Sequence, residues 1–536
     1  MLATGGTSFR RRDEPPNDGV LGPALFCECL PARCIAWERG SARAAEERRA
    51  ASQVLRFAAP AIPTSASPEV IAAQNYLFNA QFDAMAYLDG KFQLSPWVAT
   101  RWEFLASENA WRFWIRDDLT FSNGDPLTAE DVAFTAHLIA TQLPPLPQKS
   151  VMAKLIAARV VDRFTVDLLT SERDASLLYG MPYFLVLPQR YYQQVGKEQF
   201  GLKPIGSGPF ELAEFRPGDS IVYRRRTDRL HPLRSPIATE LRWKAVPEPT
   251  AMYNGIRAGE LDGAFSGLTV EQAEQAKKDG LSLATVSPVS LVIAIDRAAS
   301  EKYTPALLDR RVRQALNYAI DRDTIIKTLF RGFAKPQNQI ALPDTPPADP
   351  TIPPIPYDVG LAKRLLAEAG YPNGFRITNP IDYQSVGLNG AVMLAVQDAW
   401  RQIGVEVGLN IVDNAVWTDK MYARNNVTRN ELTQSSGQDN NGLLLYYRGF
   451  ITCNNPPPRI IWCVPEFDYF MDQAYAEPDT ERRIALIRAA VRAHTAEWPY
   501  IYLLAAPTYV VGGPKVRAMN VETLTFWRPD TVYKVE

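Results

Sequence analysis

The residues best suited to metal or nucleophilic chemistry are few in this chain. There are three histidines, His137, His231 and His494, and five cysteines in 536 residues. A catalytic zinc site draws mainly on histidine, and the three are far apart, with no HExxH. His494 falls on the stripe Ile484, Ile487, Val491, His494, Trp498, which is helical spacing and reads as core. Cys453 and Cys463 bracket CNNPPPRIIWC, whose three prolines suit a small loop closed by a disulfide. That reading implies an oxidising compartment; two buried free thiols are the alternative. Cys27, Cys29 and Cys34 lack metal spacing and a nearby histidine. No GxxxxGK[ST], no GxGxxG after a strand and no GxSxG is present. Gly206-Ser207-Gly208 reads as a turn, and no pair of carboxylates stands out as an acid/base couple. The pattern favours a binder over an enzyme, with no catalytic residue, metal or cofactor expected.

The elements that must position a binding site read as mixed α/β. Length alone suggests three to four domains at about 150 residues each. Charges balance, 58 Lys plus Arg against 59 Asp plus Glu, which argues against a nucleic-acid partner. No apolar run reaches the roughly 18 residues of a transmembrane helix. Residues 1–53 carry eight Arg and no Lys and follow no sustained period. Their best apolar stretch, Val20 to Leu30, is broken by Pro23, Cys27 and Glu28 and makes a poor secretion signal. They read as a disordered extension, or as translation from a misplaced start. From Val54 onward strands and helices alternate. Trp111 to Arg116 alternates as a strand. Thr128 with Asp131 starts a helix carrying Val132, Ala136 and Ile139. Phe210–Phe215 and Ser220–Arg224 flank a turn as a hairpin. Asp321 caps a helix carrying Ile325, Ile326 and Leu329, and Asp358–Ala369 reads as a helix with Gly370 as its stop. Leu388–Gln402 and Arg482–Trp498 read as helices, and Val405–Ile411 as one strand. Pro343–Pro356, with seven prolines in fourteen residues, reads as a stiff surface connection.

Four segments carry a resemblance. WRFWIRDDLTFSNGDPLTAEDVAFTAHLI, Trp111 to Ile139, resembles the signature of the family 5 extracellular solute-binding proteins, with Ser122-Asn123 where the family has His-Asp. Pro204–Phe210 followed by Arg216–Ser220, then Asp309–Arg322, then Tyr357–Gly374 resemble further family segments in the family's order. These proteins are the dipeptide, oligopeptide, nickel and opine receptors of bacterial ABC importers.

The resemblance implies a type II, cluster C-like periplasmic-binding-protein clamshell with an extra domain in the first lobe. The expected division is 54–74, 191–290 and 506–536 for lobe I, 75–190 for the inserted domain and 291–505 for lobe II. Ligand capture by closure needs no covalent chemistry. The implied partners are a small polar solute, most simply a peptide or peptide-like molecule, and an inner-membrane ABC permease. The implied state is a periplasmic monomer. An opine or an oligosaccharide is the alternative ligand, and a hydrolase on the same scaffold is the rival of another class. The family's ammonium-binding Asp-x-x-Asp-Pro loop corresponds to Ser436–Gly442, which makes Asp439, Asn440 and Asn441 candidates. The Asp-Pro is absent, which weakens strict peptide specificity. Arg424 or Arg429 is a candidate for a carboxylate, and Trp417 and Trp462 are candidate walls. Asn79 falls in the family's first-lobe Tyr-Glu-Gly-Leu stretch, and Arg297 follows where the family has Asn-Thr.

Overall fold

The computed structural model describes residues 53–68, 75–89, 93–141, 152, 154–228, 230–384, 387–413, 416–417, 420, 429–437, 451–453, 461–519, 521 and 527–535. The readings of residues 1–52, Arg424, Asp439, Asn440 and Asn441 lie outside them.

One sheet runs through the described chain. Its strands are β1 (Val54–Ala59), β2 (Phe210–Arg216), β3 (Ser220–Arg225), β4 (Glu240–Ala245), β5 (Gly263–Phe265), β6 (Ser282–Ile295), β7 (Lys335–Pro336), β8 (Ile381–Gln384), β9 (Leu409–Val412), β10 (Leu432–Gly437) and β11 (Tyr500–Gly512). Their order is β9-β8-β10-β6-β11-β5-β1-β4-β3-β2, with β7 paired to β11. β1 lies parallel to β4 and β5. β8 lies parallel to β9 and β10. Parallel strands need crossovers, so helices fill the intervals.

The long strands β6 and β11 join the two halves. Their antiparallel register runs from Ser282↔Gly512 to Val286↔Thr508, shifts, resumes from Val289↔Ala506 to Leu291↔Leu504, and shifts again before Val292↔Tyr502 to Ala294↔Tyr500. Pro288 and Pro507 fall at the first shift, where a residue without an N–H costs the ladder nothing further. Strand directions follow from this register. Phe265 of β5 pairs with Val510, nearer the shift than Gly263. β10 ends with Gly437 opposite Ser290 and begins with Leu432 opposite Ile295. In both halves, then, the carboxyl ends of the parallel strands face the crossing of β6 and β11.

Helices α1 (Ala129–Thr141), α2 (Arg310–Tyr318), α3 (Arg322–Leu329), α4 (Asn389–Arg401), α5 (Pro465–Ala476) and α6 (Thr480–Ala496) pack around the sheets. The starts of α2, α3 and α6 carry aspartate side-chain caps. Asp131 accepts from Thr128 N and Oγ1 at 2.9 and 3.0 Å, and Val132, Ala136 and Ile139 are buried. Asp321 caps α3, and Asp358 caps Val359–Glu368. Gly370 sits at φ +93° just after that helix. A separate antiparallel sheet, in the order Ala99–Leu105, Ala110–Ile115, Thr165–Thr170, Leu155–Asp162, closes over its own apolar cluster with α1, including Phe113, Phe121 and Val166.

One expectation is corrected. Val405–Ile411 is not one strand. Val405–Glu406 pairs with Phe375–Arg376, and Leu409–Val412 pairs with β8. The break falls at Gly408, where a Cβ would stand 3.2 Å from the Pro380 side chain. The proline-rich segment is the stiff surface connection expected of it. Gln339 grips the backbone of Asp349 at both N and O, and Arg488 donates to Pro346 O at 3.0 Å.

Candidate functional site

On the second half of the sheet, β8, β9 and β10 present their carboxyl ends to the crossing. Ligands of open α/β sheets bind at such ends. Gln434 of β10 is fully buried. Its Oε1 accepts from Gln384 N at 3.3 Å and from Asn389 Nδ2 at 3.4 Å. Trp417 is buried and donates from Nε1 to Gln434 O at 2.9 Å, so it braces this end of the sheet. The chain leaves β10 at Gly437, two residues before Asp439.

Arg429, Arg297 and Trp462 gather at the opposite end. Arg429 Nε meets Asp296 Oδ2 at 2.6 Å, with both side chains buried. Arg297 donates its backbone N–H to Ile461 O at 2.9 Å, and its guanidinium lies 5.4 Å from the Trp462 ring centre. Arg313 covers Trp462 at 4.2 Å. The disulfide Cys453–Cys463 lies in the same neighbourhood. At about 3.3 Å per residue, β10 separates this cluster from the crossing by roughly 17–20 Å. Asp382, fully buried, collects Lys420 Nζ at 2.5 Å, Asn410 Nδ2 at 2.7 Å and Asn430 Nδ2 at 2.8 Å.

On the first half, Asn79 lines a pocket of about 30 Å³ with Tyr87, Trp97, Arg234, Trp527 and Arg528. A charged network lies behind it. Arg234 meets Asp83 and Asp530, each at 3.1 Å, and donates to Asn79 O at 2.9 Å. Arg528 holds the other oxygen of Asp530 at 2.7 Å. Trp97 Nε1 and Ser207 Oγ donate to Asp83 at 2.9 and 3.0 Å. Burial would raise the Asp83 carboxyl, but the Arg234 charge and these hydrogen bonds hold it below the ordinary value. His231 stacks on Trp97 at 4.1 Å, and burial lowers its pKa despite the nearby Asp83.

Sequence reasoning singled out Asn79, which lies on this pocket wall, but not Asp83, Trp97, Arg234, Trp527 or Arg528. They come from positions up to 445 residues apart, and no local pattern joins them. Among the described residues no group of three or more His, Cys, Asp or Glu is placed to hold a metal.

The sequence profile of "Bacterial extracellular solute-binding proteins, family 5 Middle" matches residues 93–450. The chain belongs to family 5 of the bacterial extracellular solute-binding proteins. It is therefore a transport binding protein and not an enzyme. The glutathione-binding protein GsiB of Escherichia coli K12 is 24% identical over 445 residues, covering 79% of this chain and 81% of that one. DppA from Helicobacter pylori, an ABC transporter-associated periplasmic binding protein in complex with the peptide STSA, superposes with a TM-score of 0.75. It is 20% identical and covers 92% of this chain and 100% of its own. NikA from Brucella suis, in complex with Fe(III)-EDTA, gives 0.77 at 20% identity over 90% of this chain and 100% of its own. The fold of this family 5 protein is that of the periplasmic binding proteins, and no helix among the described residues is long and apolar enough to cross a membrane.

Proposed function

We propose that this family 5 protein captures a small polar, peptide-like solute in the periplasm and delivers it as a monomer to an inner-membrane ABC permease. The observation that carries the reading is the convergence of the parallel strands' carboxyl ends on the β6–β11 crossing from both halves. A solute held there touches both halves at once, and contact with both selects the closed arrangement. Residues 54–74, 191–290 and 506–536 form one lobe in this reading, with 75–190 inserted into it, and 291–505 form the other. The separate antiparallel sheet with its own core supports the insertion.

Asp439, Asn440 and Asn441, which follow β10 in sequence, meet the ligand in this reading, and Asn79 meets it from the first lobe. Arg424 lies upstream of them in sequence and is the arginine kept for a carboxylate. Trp417 holds the floor of the second-lobe site. Arg429, Arg297 and Trp462 act as anchors at the far end, because Arg429 already has a carboxylate partner. Glutathione and peptides are bound by relatives whose names state it, which places peptides first in a ligand panel, with opines and oligosaccharides after them.

Native mass spectrometry of the purified protein, followed by denaturing release, tests the reading. Release of a peptide-like compound is expected; a captured sugar or lipid overturns the ligand class. Calorimetry with the released compound then tests the site. Asp439→Ala is expected to cost about 2–5 kcal/mol of binding, as for a charge partner lost from a buried pair. Unchanged affinity removes Asp439 from the site.

A further inference from the structure

The first-half pocket holds more hydrogen-bond donors than the protein itself uses. Arg234 Nε, Arg528 Nε and Trp527 Nε1 have no hydrogen-bond partner and are shielded from solvent, and the two guanidiniums lie 5.3 Å from the Trp97 ring centre. Buried N–H groups in native proteins are nearly always paired, and the exceptions call for a cause. These three belong to residues on the wall of one pocket, whose apolar sides are Trp97, Trp527 and Tyr87. Its volume of about 30 Å³ exceeds the roughly 10–15 Å³ that a single water needs. It suits one oxygen and its attached carbon.

The local charges decide which oxygen. Arg234 and Arg528 are balanced by Asp83 and Asp530. The oxygens of both carboxylates are already engaged, by Arg234, Arg528, Trp97 and Ser207. His231, whose pKa burial lowers, adds no charge at neutral pH. The three unmatched donors call for an acceptor, and the pocket does not lack a negative charge.

We propose that this pocket is a subsite for an amide carbonyl of the transported solute, donated to by Arg234, Arg528 and Trp527 between aromatic walls. The proposal rests on the transport reading and narrows its ligand to one carrying an uncharged acyl oxygen beside an apolar group. It places a specificity contact on the first half, where no charged partner of the ligand is needed.

Crystals of the full chain soaked in N-methylacetamide test it directly, because that probe's only polar atoms are one carbonyl oxygen and one N–H. Its oxygen is expected in the pocket. A parallel soak in acetate tests a charged acceptor. Acetate alone in the pocket, or neither probe, overturns the proposal. In solution, Arg528→Lys keeps the positive charge beside Asp530 and removes the Nε–H. It is expected to weaken the best-bound member of a panel of di- and tripeptides and glutathione about tenfold. Equal affinity at equal melting temperature overturns the proposal. If no peptide binds the unaltered protein, the transport reading for peptides fails, and the soak still decides the pocket.

Discussion

Single residues in this protein earn their places by burial more often than by ligand contact. His494 is the clearest case. It is fully buried, faces the rings of Phe467 and Tyr500, and neither ring nitrogen has a partner. Burial lowers its pKa to about 3. The folded state therefore keeps the ring neutral while the unfolded chain takes up a proton below about 6.5. Its contribution is fully present above pH 6.5 and is lost as the pH falls from there toward 3. The slope is at most about 1.4 kcal/mol per pH unit for one proton. His494→Phe is expected to flatten this part of the stability–pH curve, measured by urea unfolding at pH 7 and pH 4.5. An unchanged difference between the two pH values would show that His494 is not the titrating group. The core reading of His494 was legible from one helical stripe, because burial follows a local period. The pairing of Arg429 with Asp296 was not, since 133 residues separate them.

At the scale of elements, capping is local chemistry, and Asp131 and Asp321 announce their helices in sequence. Contacts between elements have no such signal. Arg483 of α6 is buried, 304 residues from Tyr179 in the helical turn Ala175–Tyr183. Its guanidinium lies over that ring at 4.6 Å and donates to the hydroxyl. It also donates to Glu477 O at 2.9 Å and Thr480 Oγ1 at 3.0 Å. No carboxylate faces it in an ion pair among the described residues. A buried cation held by dipoles and a ring is costly to uncover on one side only, so the contact favours the two elements staying together. Tyr179→Phe keeps the ring and loses one hydrogen bond to a charged group, about 1.5–3 kcal/mol. It is expected to enlarge the radius of gyration of the ligand-free protein in small-angle scattering, and Arg483→Ala more so. Identical scattering for all three forms would make the contact mere surface packing.

The whole molecule is organised by the crossing of β6 and β11, and this was the least legible level. The resemblance implied two lobes, yet no residue pattern marks where the two strands change register, between Val286 and Val289 and again between Leu291 and Val292. The signal that stands in the sequence is a proline in each, Pro288 and Pro507, and its meaning appears only when the strands are paired. The ladder is interrupted between Val286 and Val289, and neither proline can donate across the gap. Continuous pairing resists bending, whereas a bulge lets a strand bend locally. The crossing is thus the place where the halves can rotate with few bonds to break. Replacing both prolines by valine restores two N–H donors and β-branched side chains that favour extended backbone. The double variant is expected to keep its thermal stability while its ligand-induced compaction in solution shrinks and ligand release slows. Scattering with and without ligand, together with stopped-flow release, reads both effects. If compaction and release match the unaltered protein, the rotation takes place elsewhere, and the paired prolines do no more than end two stretches of strand.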